Sequence, residues 1–321
     1  MKVFLFILTN NIIPIFALIA LGFLISRKFD LNINTLSKLI FYIFSPCFIF
    51  VNLYKTSVPL EMMKVMAIAV MILGANMLIA ALLSKLRGYS EGLKNAFANS
   101  IMFYNSANIG IPLITLVFSS EPFIVNGEMP YLSIALTVQI MVLVVQNIST
   151  HTIGLINAGK ADTQWKDSFV KAMKMPIIYA ILLAFVCKAL PYDLTRLPVW
   201  SSLNYAGDAL VPVSLITLGI QLMRTPIELR NIDVYLSCFI RLLVGPVLAV
   251  IFIYMLRVDG IIAHTLVISS AVPSSVNSAL IAVEYDNHPD FASQAVVAST
   301  LLSAVSLAFV IYMARVLFPV V

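Results

Sequence analysis

Asn105-Ser106-Ala107-Asn108-Ile109-Gly110-Ile111-Pro112 interrupts an apolar run extending from about Leu93 to Phe118. Lipid offers no water to backbone groups released from a helix. Amides, glycine and proline packed into so short a stretch loosen a membrane helix only where protein or a watery cavity receives it. A second cluster, Ser269-Ser270-Ala271-Val272-Pro273-Ser274-Ser275-Val276-Asn277-Ser278, divides the apolar run from Ile261 to Val283. Two broken helices in corresponding halves of a membrane chain point to a solute site at the level of the breaks.

Composition agrees with that setting. The chain of 321 residues is 61% hydrophobic and 11% charged, with a mean hydropathy of +0.99, which excludes an ordinary soluble domain. The net charge of +5 is scattered over short connections. No basic stripe interleaves with aromatics, so a nucleic-acid partner is excluded and the positive charge serves topology. Cys47, Cys187 and Cys238 fall in separate apolar stretches and read as small packing residues rather than disulfide or metal partners. His151, His264 and His288 share no ligand spacing, so neither a metal site nor a cofactor is expected. The same lack of clustering argues against an enzyme embedded in the membrane. The run from Val3 to Ile25 exceeds a signal-peptide core and lacks a small-x-small cleavage pattern, so it is expected to remain as the first helix.

Stretches of about 20 mostly apolar residues can cross a bilayer. Ten qualify: 3–26, 36–54, 62–84, 93–118, 131–150, 172–190, 203–223, 232–256, 261–283 and 291–318. The expected fold is therefore an all-α membrane protein of ten transmembrane helices. Pro14 and Pro176, Pro46 and Pro212, and Pro112 and Pro273 recur at nearly one offset, 161 to 166 residues. That recurrence suggests two five-helix repeats, 1–155 and 172–321, joined by a cytoplasmic connection at 156–171. Five is odd, so the second repeat enters from the opposite side; the repeats are inverted, and broken helices four and nine run antiparallel. Lys and Arg in alternate loops divide twelve against seven. The richer side, with Arg27, Lys28, Lys85 and Arg87, is expected in the cytoplasm, and both termini outside it.

Each break starts a half-helix whose first N–H groups lack partners and carry partial positive charge, a setting that favours a carboxylate. No Lys, Arg, Asp or Glu lies between Lys94 and Glu121 or between Asp259 and Glu284. A neutral, dipole-lined pocket suits a monoanion. Asn105, Asn108, Gly110, Pro112, Pro273, Ser274, Ser275 and Asn277 are the candidate substrate-binding residues; the competing reading has their polar groups satisfying loosened carbonyls. Arg241 stands well inside helix eight, where a charge needs a partner or a function. It either anchors backbone carbonyls or faces the ligand. Asp208, near one end of helix seven, is either a solvated interfacial carboxylate or a site for a coupling ion or proton. Gln139, Gln146 and Asn147 in helix five, Asn76 in helix three and Gln221 in helix seven read more readily as interhelical bonds than as ligands.

At four of these places the chain resembles the auxin efflux carrier family, which includes plant PIN-type carriers and bacterial permeases. They are Asn108-Ile109-Gly110-Ile111-Pro112, Met175-Pro176-Ile177-Ile178-Tyr179, Arg241-Leu242-Leu243-Val244-Gly245-Pro246, and Ala271-Val272-Pro273 through Ala282-Val283-Glu284-Tyr285-Asp286-Asn287-His288-Pro289. The resemblance implies a bile-acid-symporter-like fold and a secondary transporter of small organic anions: mono- or dicarboxylates, or auxin-like weak acids. It further implies crossing helices four and nine, a scaffold of helices one, two, six and seven, an elevator-like transport body of helices three to five and eight to ten, and a homodimer. Asn108, Pro112 and Pro273 match the crossover motif. The long cytoplasmic loop of plant carriers is missing, which favours a bacterial inner membrane. Proton or sodium coupling stays open. The alternative is a sodium- or proton-coupled cation exchanger or symporter on a related inverted-repeat fold, which would call for buried acids at the breaks.

Overall fold

The structure, a computed structural model, describes residues 2–56, 60–159, 176–225 and 231–319. Most of the 156–171 connection lies outside the described residues, as do Met175 and five of the basic residues used for orientation: Lys160, Lys166, Lys171, Lys174 and Arg230. Among the described residues the regular structure is helical, with two isolated β-bridges and no strand.

Among the described residues, seven helices are long and apolar enough to cross a membrane. They are α1 (Val3–Ser26), α2 (Ile33–Lys55), α3 (Met62–Arg87), α5 (Leu132–Ala158), α7 (Val199–Arg224), α8 (Ile232–Met255) and α10 (Pro289–Leu317). Shorter helices fill the remaining apolar stretches: α4a (Glu91–Met102), α4b (Ser106–Phe118), α6 (Pro176–Lys188), α9a (Gly260–Ser270) and α9b (Val276–Glu284). Local chemistry sets several of the ends. The Asn32, Ser90 and Asn231 side chains accept from the amides of Thr35, Leu93 and Asp233 at helix starts. Gly88 closes α3 with φ 65°, a left-handed turn that suits a residue without Cβ.

Proline leaves a regular trace inside these helices. Widened turns occupy Leu8–Ile12, Ile40–Phe44, Ser106–Gly110 and Ile240–Val244. Each ends two residues before a proline: Pro14, Pro46, Pro112 and Pro246. A proline ring collides with the carbonyl four residues back and donates no hydrogen bond; one wide turn relieves both problems without breaking the helix. A fifth wide turn, Thr150–Gly154, has no proline. There Thr150 and Thr152 bond back to the carbonyls of Gln146 and Ile148.

α7 lies along α1 with backbones in contact. A Cβ on Gly22 would collide with the Ile216 carbonyl, and one on Gly219 with the Ile19 carbonyl. α2 packs against α6 and α7, whereas α8 and α9a pack with α3, α5 and α10. The connections gather at two ends of the bundle. Arg224 pairs with Asp30 at 2.6 Å, and Arg87 with Asp233 at 2.7 Å. Toward the other end, Lys188 donates to the carbonyls of Leu53 and Thr56, and Arg315 to that of Glu121. Leu21, Leu78, Val247, Ile251 and Phe309 are exposed on the sides of the bundle, as expected of a surface solvated by lipid.

Candidate functional site

The two breaks lie against each other. α4 leaves helical geometry at Phe103, Tyr104 and Asn105, and α9 does so from Ala271 to Ser275. The Asn105 amide donates to the Pro273 carbonyl at 2.8 Å, and the Ser275 amide to the Phe103 carbonyl at 2.9 Å. Tyr104 and Ser274 thus form an antiparallel bridge. Backbone groups without helical partners must find others in a dry interior, and here each break supplies the other.

The opening in α4 begins upstream of the cluster expected to cause it and overlaps that cluster only at Asn105. Pro112 sits within helical α4b, its steric demand absorbed by the wide turn at Ser106–Gly110. What releases Phe103–Asn105 is the pairing with α9. Gly110 has a packing reason instead of a binding one, because a Cβ there would run into the Gln139 side chain, whose Nε2 donates to the Ser106 carbonyl at 2.7 Å.

Arg241 is fully buried and turns its guanidinium toward backbone. Nη1 donates to the Ile101 carbonyl at 2.9 Å, and Nη2 donates to the Ser270 carbonyl. These carbonyls belong to the C-terminal ends of α4a and α9a, so one side chain holds both half-helices where they stop. The Tyr104 ring covers the guanidinium at 4.5 Å. The residues around Arg241 make this reach possible: Arg241 lies in the wide turn before Pro246, and a Cβ on Gly245 would come within 2.6 Å of Nη2.

Beside the crossing is a cavity of about 20 Å³, room for about one water molecule. Asn105 and Asn108 of α4, Ser275 and Asn277 of α9, and Gln146, Asn147 and Thr150 of α5 supply its polar walls. Of the candidates, Asn105, Asn108, Ser275 and Asn277 are thus brought together at one cavity. Gly110, Pro112, Pro273 and Ser274 stand outside its walls. Ser274 works as a staple: its hydroxyl donates to the Ser100 carbonyl at 2.7 Å.

Gln146 and Asn147 are wall residues that helix-by-helix reasoning treats as interhelical ties. Gln146 does tie, since its Oε1 accepts from the Tyr104 amide at 3.2 Å. That bond leaves Nε2 free of protein partners, just as the Asn105 bond to the Asn108 amide leaves Asn105 Nδ2. Asn147 Nδ2 is likewise buried and unpartnered. Three amide donors without acceptors therefore stand around one small space, each representing about 1–3 kcal/mol of unmet hydrogen bonding. Asn108 Oδ1 is the matching unpartnered acceptor on the wall. The signal available in sequence was the adjacency of two amides, Gln146-Asn147, within an otherwise apolar helix.

Among the described residues, no Asp, Glu, Lys or Arg lines this cavity. Its polarity comes from amides and hydroxyls; the adjoining N-terminal ends of α4b and α9b, each with about half a positive charge, are capped by the Asn105 and Ser275 side chains. Such a wall can orient a carboxylate without a cation. Asp208 takes no part; it lies exposed in α7, outside the cavity. Asn76 is buried in α3 with neither amide atom bonded. A larger cleft of about 400 Å³ opens nearby, bounded by the start of α2, by Leu218, Gln221 and Arg224 of α7, and by α9b and α10. Val276 borders both spaces.

A chain of apolar helices with two mutually paired breaks is a membrane transport protein in architecture, and comparison with known sequences agrees. A family model described as "Membrane transport protein" matches residues 7–169 and 164–311, and the chain belongs to this family, that of the auxin efflux carriers. It is 24% identical over 307 residues to an uncharacterized transporter of Methanothermobacter thermautotrophicus, covering 93% of this chain and 96% of that one. It is also 27% identical over 104 residues to auxin efflux carrier component 1 of Arabidopsis thaliana, covering 32% of this chain and 17% of that protein. It is a multi-pass membrane protein of a transporter family.

Proposed function

We propose that the chain is a secondary active transporter that moves a small organic anion, a monocarboxylate or similar weak acid, by alternating access. The observation that carries this reading is the set of three unpartnered amide donors, on Asn105, Gln146 and Asn147, at the crossing of two broken helices. Donors without acceptors, backed by two helix N-termini and no fixed charge, match a carboxylate headgroup.

In this reading the repeats 1–155 and 172–321 are inverted copies, and their broken helices meet near the bilayer midplane. The scaffold is α1, α2, α6 and α7; α3 to α5 and α8 to α10 move against it as an elevator. The tight α1–α7 contact at Gly22 and Gly219 supports a rigid scaffold. The cleft between α7 and α9b supports a seam along which the moving body slides, with Val276 at the threshold of the binding cavity. The end bearing Arg27, Lys85 and Arg87 faces the cytoplasm, by the excess of basic residues there. The scaffold is also the proposed dimer surface, and the site takes neither metal nor cofactor.

The test is a panel of carboxylates screened by thermal shift on purified protein, followed by counterflow of the best stabiliser in proteoliposomes. Saturable counterflow is expected. Flux of inorganic cations with no dependence on any organic anion would contradict it.

A further inference from the structure

Four helix ends meet at the crossing, and they do not carry the same charge. The C-terminal ends of α4a and α9a each present about half a negative charge, and the N-terminal ends of α4b and α9b about half a positive one. Two like ends brought together in a dry interior repel unless a counter-charge sits between them. At the C-terminal pair that counter-charge is the Arg241 guanidinium, bonded to the carbonyls of Ile101 and Ser270.

Arg241 pairs with no carboxylate. Among the described residues the ion pairs are Arg87–Asp233, Arg196–Asp193 and Arg224–Asp30, all with exposed members. Its compensation comes from the two helix ends, about one negative charge in total against its single positive one. Around this group the surroundings form a coordination shell. Two carbonyl oxygens converge on it, Tyr104 presents its ring face at 4.5 Å, and Gly245 leaves the space the guanidinium fills. Ser269, beside Ser270 at the end of α9a, is also fully buried. Backbone carbonyls and an aromatic face are groups that hold a monovalent cation.

We infer that the paired C-terminal ends of α4a and α9a form a monovalent-cation site that the chain fills with its own Arg241. The tethered guanidinium does permanently what a bound sodium ion would do reversibly. This part of the crossing therefore needs no inorganic cation, and the positive ends of α4b and α9b are left with about one net charge to offer an anion. The charge balance for the anion rests on the proposed transport function; the cation site itself does not.

The test needs no substrate. Thermal unfolding of the purified parent, Arg241→Ser and Arg241→Lys is measured without organic anions in choline, sodium, potassium and millimolar guanidinium chloride at matched ionic strength. The parent and Arg241→Lys should unfold at the same temperature in every salt. Arg241→Ser should unfold earlier in choline and recover by roughly 3 °C or more in guanidinium or sodium, as ligand linkage requires. An Arg241→Ser protein that unfolds alike in all four salts would overturn the inference. So would a parent that sodium stabilises over choline, a readout that stands even if Arg241→Ser fails to fold. Because these measurements omit carboxylates, failure of the transport reading would appear separately, in counterflow.

Discussion

The Asn105 amide donates to the Pro273 carbonyl at 2.8 Å, joining the broken segment of one helix to that of another far along the chain. The reciprocal bond from the Ser275 amide to Phe103 completes the pair. Neither segment could be non-helical alone without stranding polar backbone in a dry interior. The crossing is thus cooperative, and that pairing rather than helical geometry fixes Asn105 and Ser275 on the cavity wall, while Gln146 and Asn147 are positioned by α5.

Removing one unpartnered donor should damage transport more than stability. Asn147→Ala deletes an amide whose Nδ2 bonds nothing in the protein, so the unfolding temperature should stay close to that of the parent. Loss of a hydrogen bond to a charged headgroup, about 1.5–3 kcal/mol, corresponds to roughly a tenfold to hundredfold loss of flux or affinity. Counterflow measured beside thermal unfolding checks both halves of the expectation.

Two glycines in long helices should respond in opposite ways to alanine. Gly245→Ala places a Cβ within 2.6 Å of Arg241 Nη2 and 3.1 Å of the Ser270 carbonyl, and should destabilise the protein by about 1–3 kcal/mol. Gly74→Ala, in α3, meets nothing within 4 Å and should be neutral or stabilising by about 0.5–1 kcal/mol. Denaturation of the two variants side by side separates them.

Alanine at Gly22 or Gly219 should be the most disruptive small substitution. Each Cβ would press into the partner helix's backbone, at Ile216 and Ile19 respectively, so α1 and α7 would have to part along their contact. Loss of the monodisperse peak in size-exclusion chromatography is the expected result, and unchanged elution with unchanged unfolding would refute the packing account.

The cleft should be a path to the site. Ala279 on α9b lines it, so in a background with Cys47, Cys187 and Cys238 replaced, Ala279→Cys should react with a small anionic thiol reagent. Modification should block counterflow, and a transported carboxylate should slow it. Reaction at an undiminished rate in saturating carboxylate would place the path elsewhere.

Much of this is legible in the sequence. Hydropathy marked the long helices, and the clusters around Asn108 and Pro273 marked where two of them fail. The precise opening in α4 was not legible, because Pro112 looks like a breaker and a wide turn at Ser106–Gly110 absorbs it. Phe103 and Tyr104, which do leave the helix, carry no local signal; their conformation is set by α9. The place of Gln146 and Asn147 on the cavity wall is hidden in sequence for a related reason. A polar residue in a membrane helix shows that it needs a partner, while only the packed structure shows which donors end up without one. Arg241 left two readings open, and its bonds to Ile101 and Ser270 favour the anchoring one.

The most direct test of the central claim is a structure of the protein bound to a bromine-substituted carboxylate chosen from the stabilising panel. The account predicts the headgroup within hydrogen-bonding distance of Asn105, Gln146 and Asn147, at the N-terminal ends of α4b and α9b. A carboxylate bound saturably elsewhere, with the crossing unchanged and its amides still unpartnered, would contradict it.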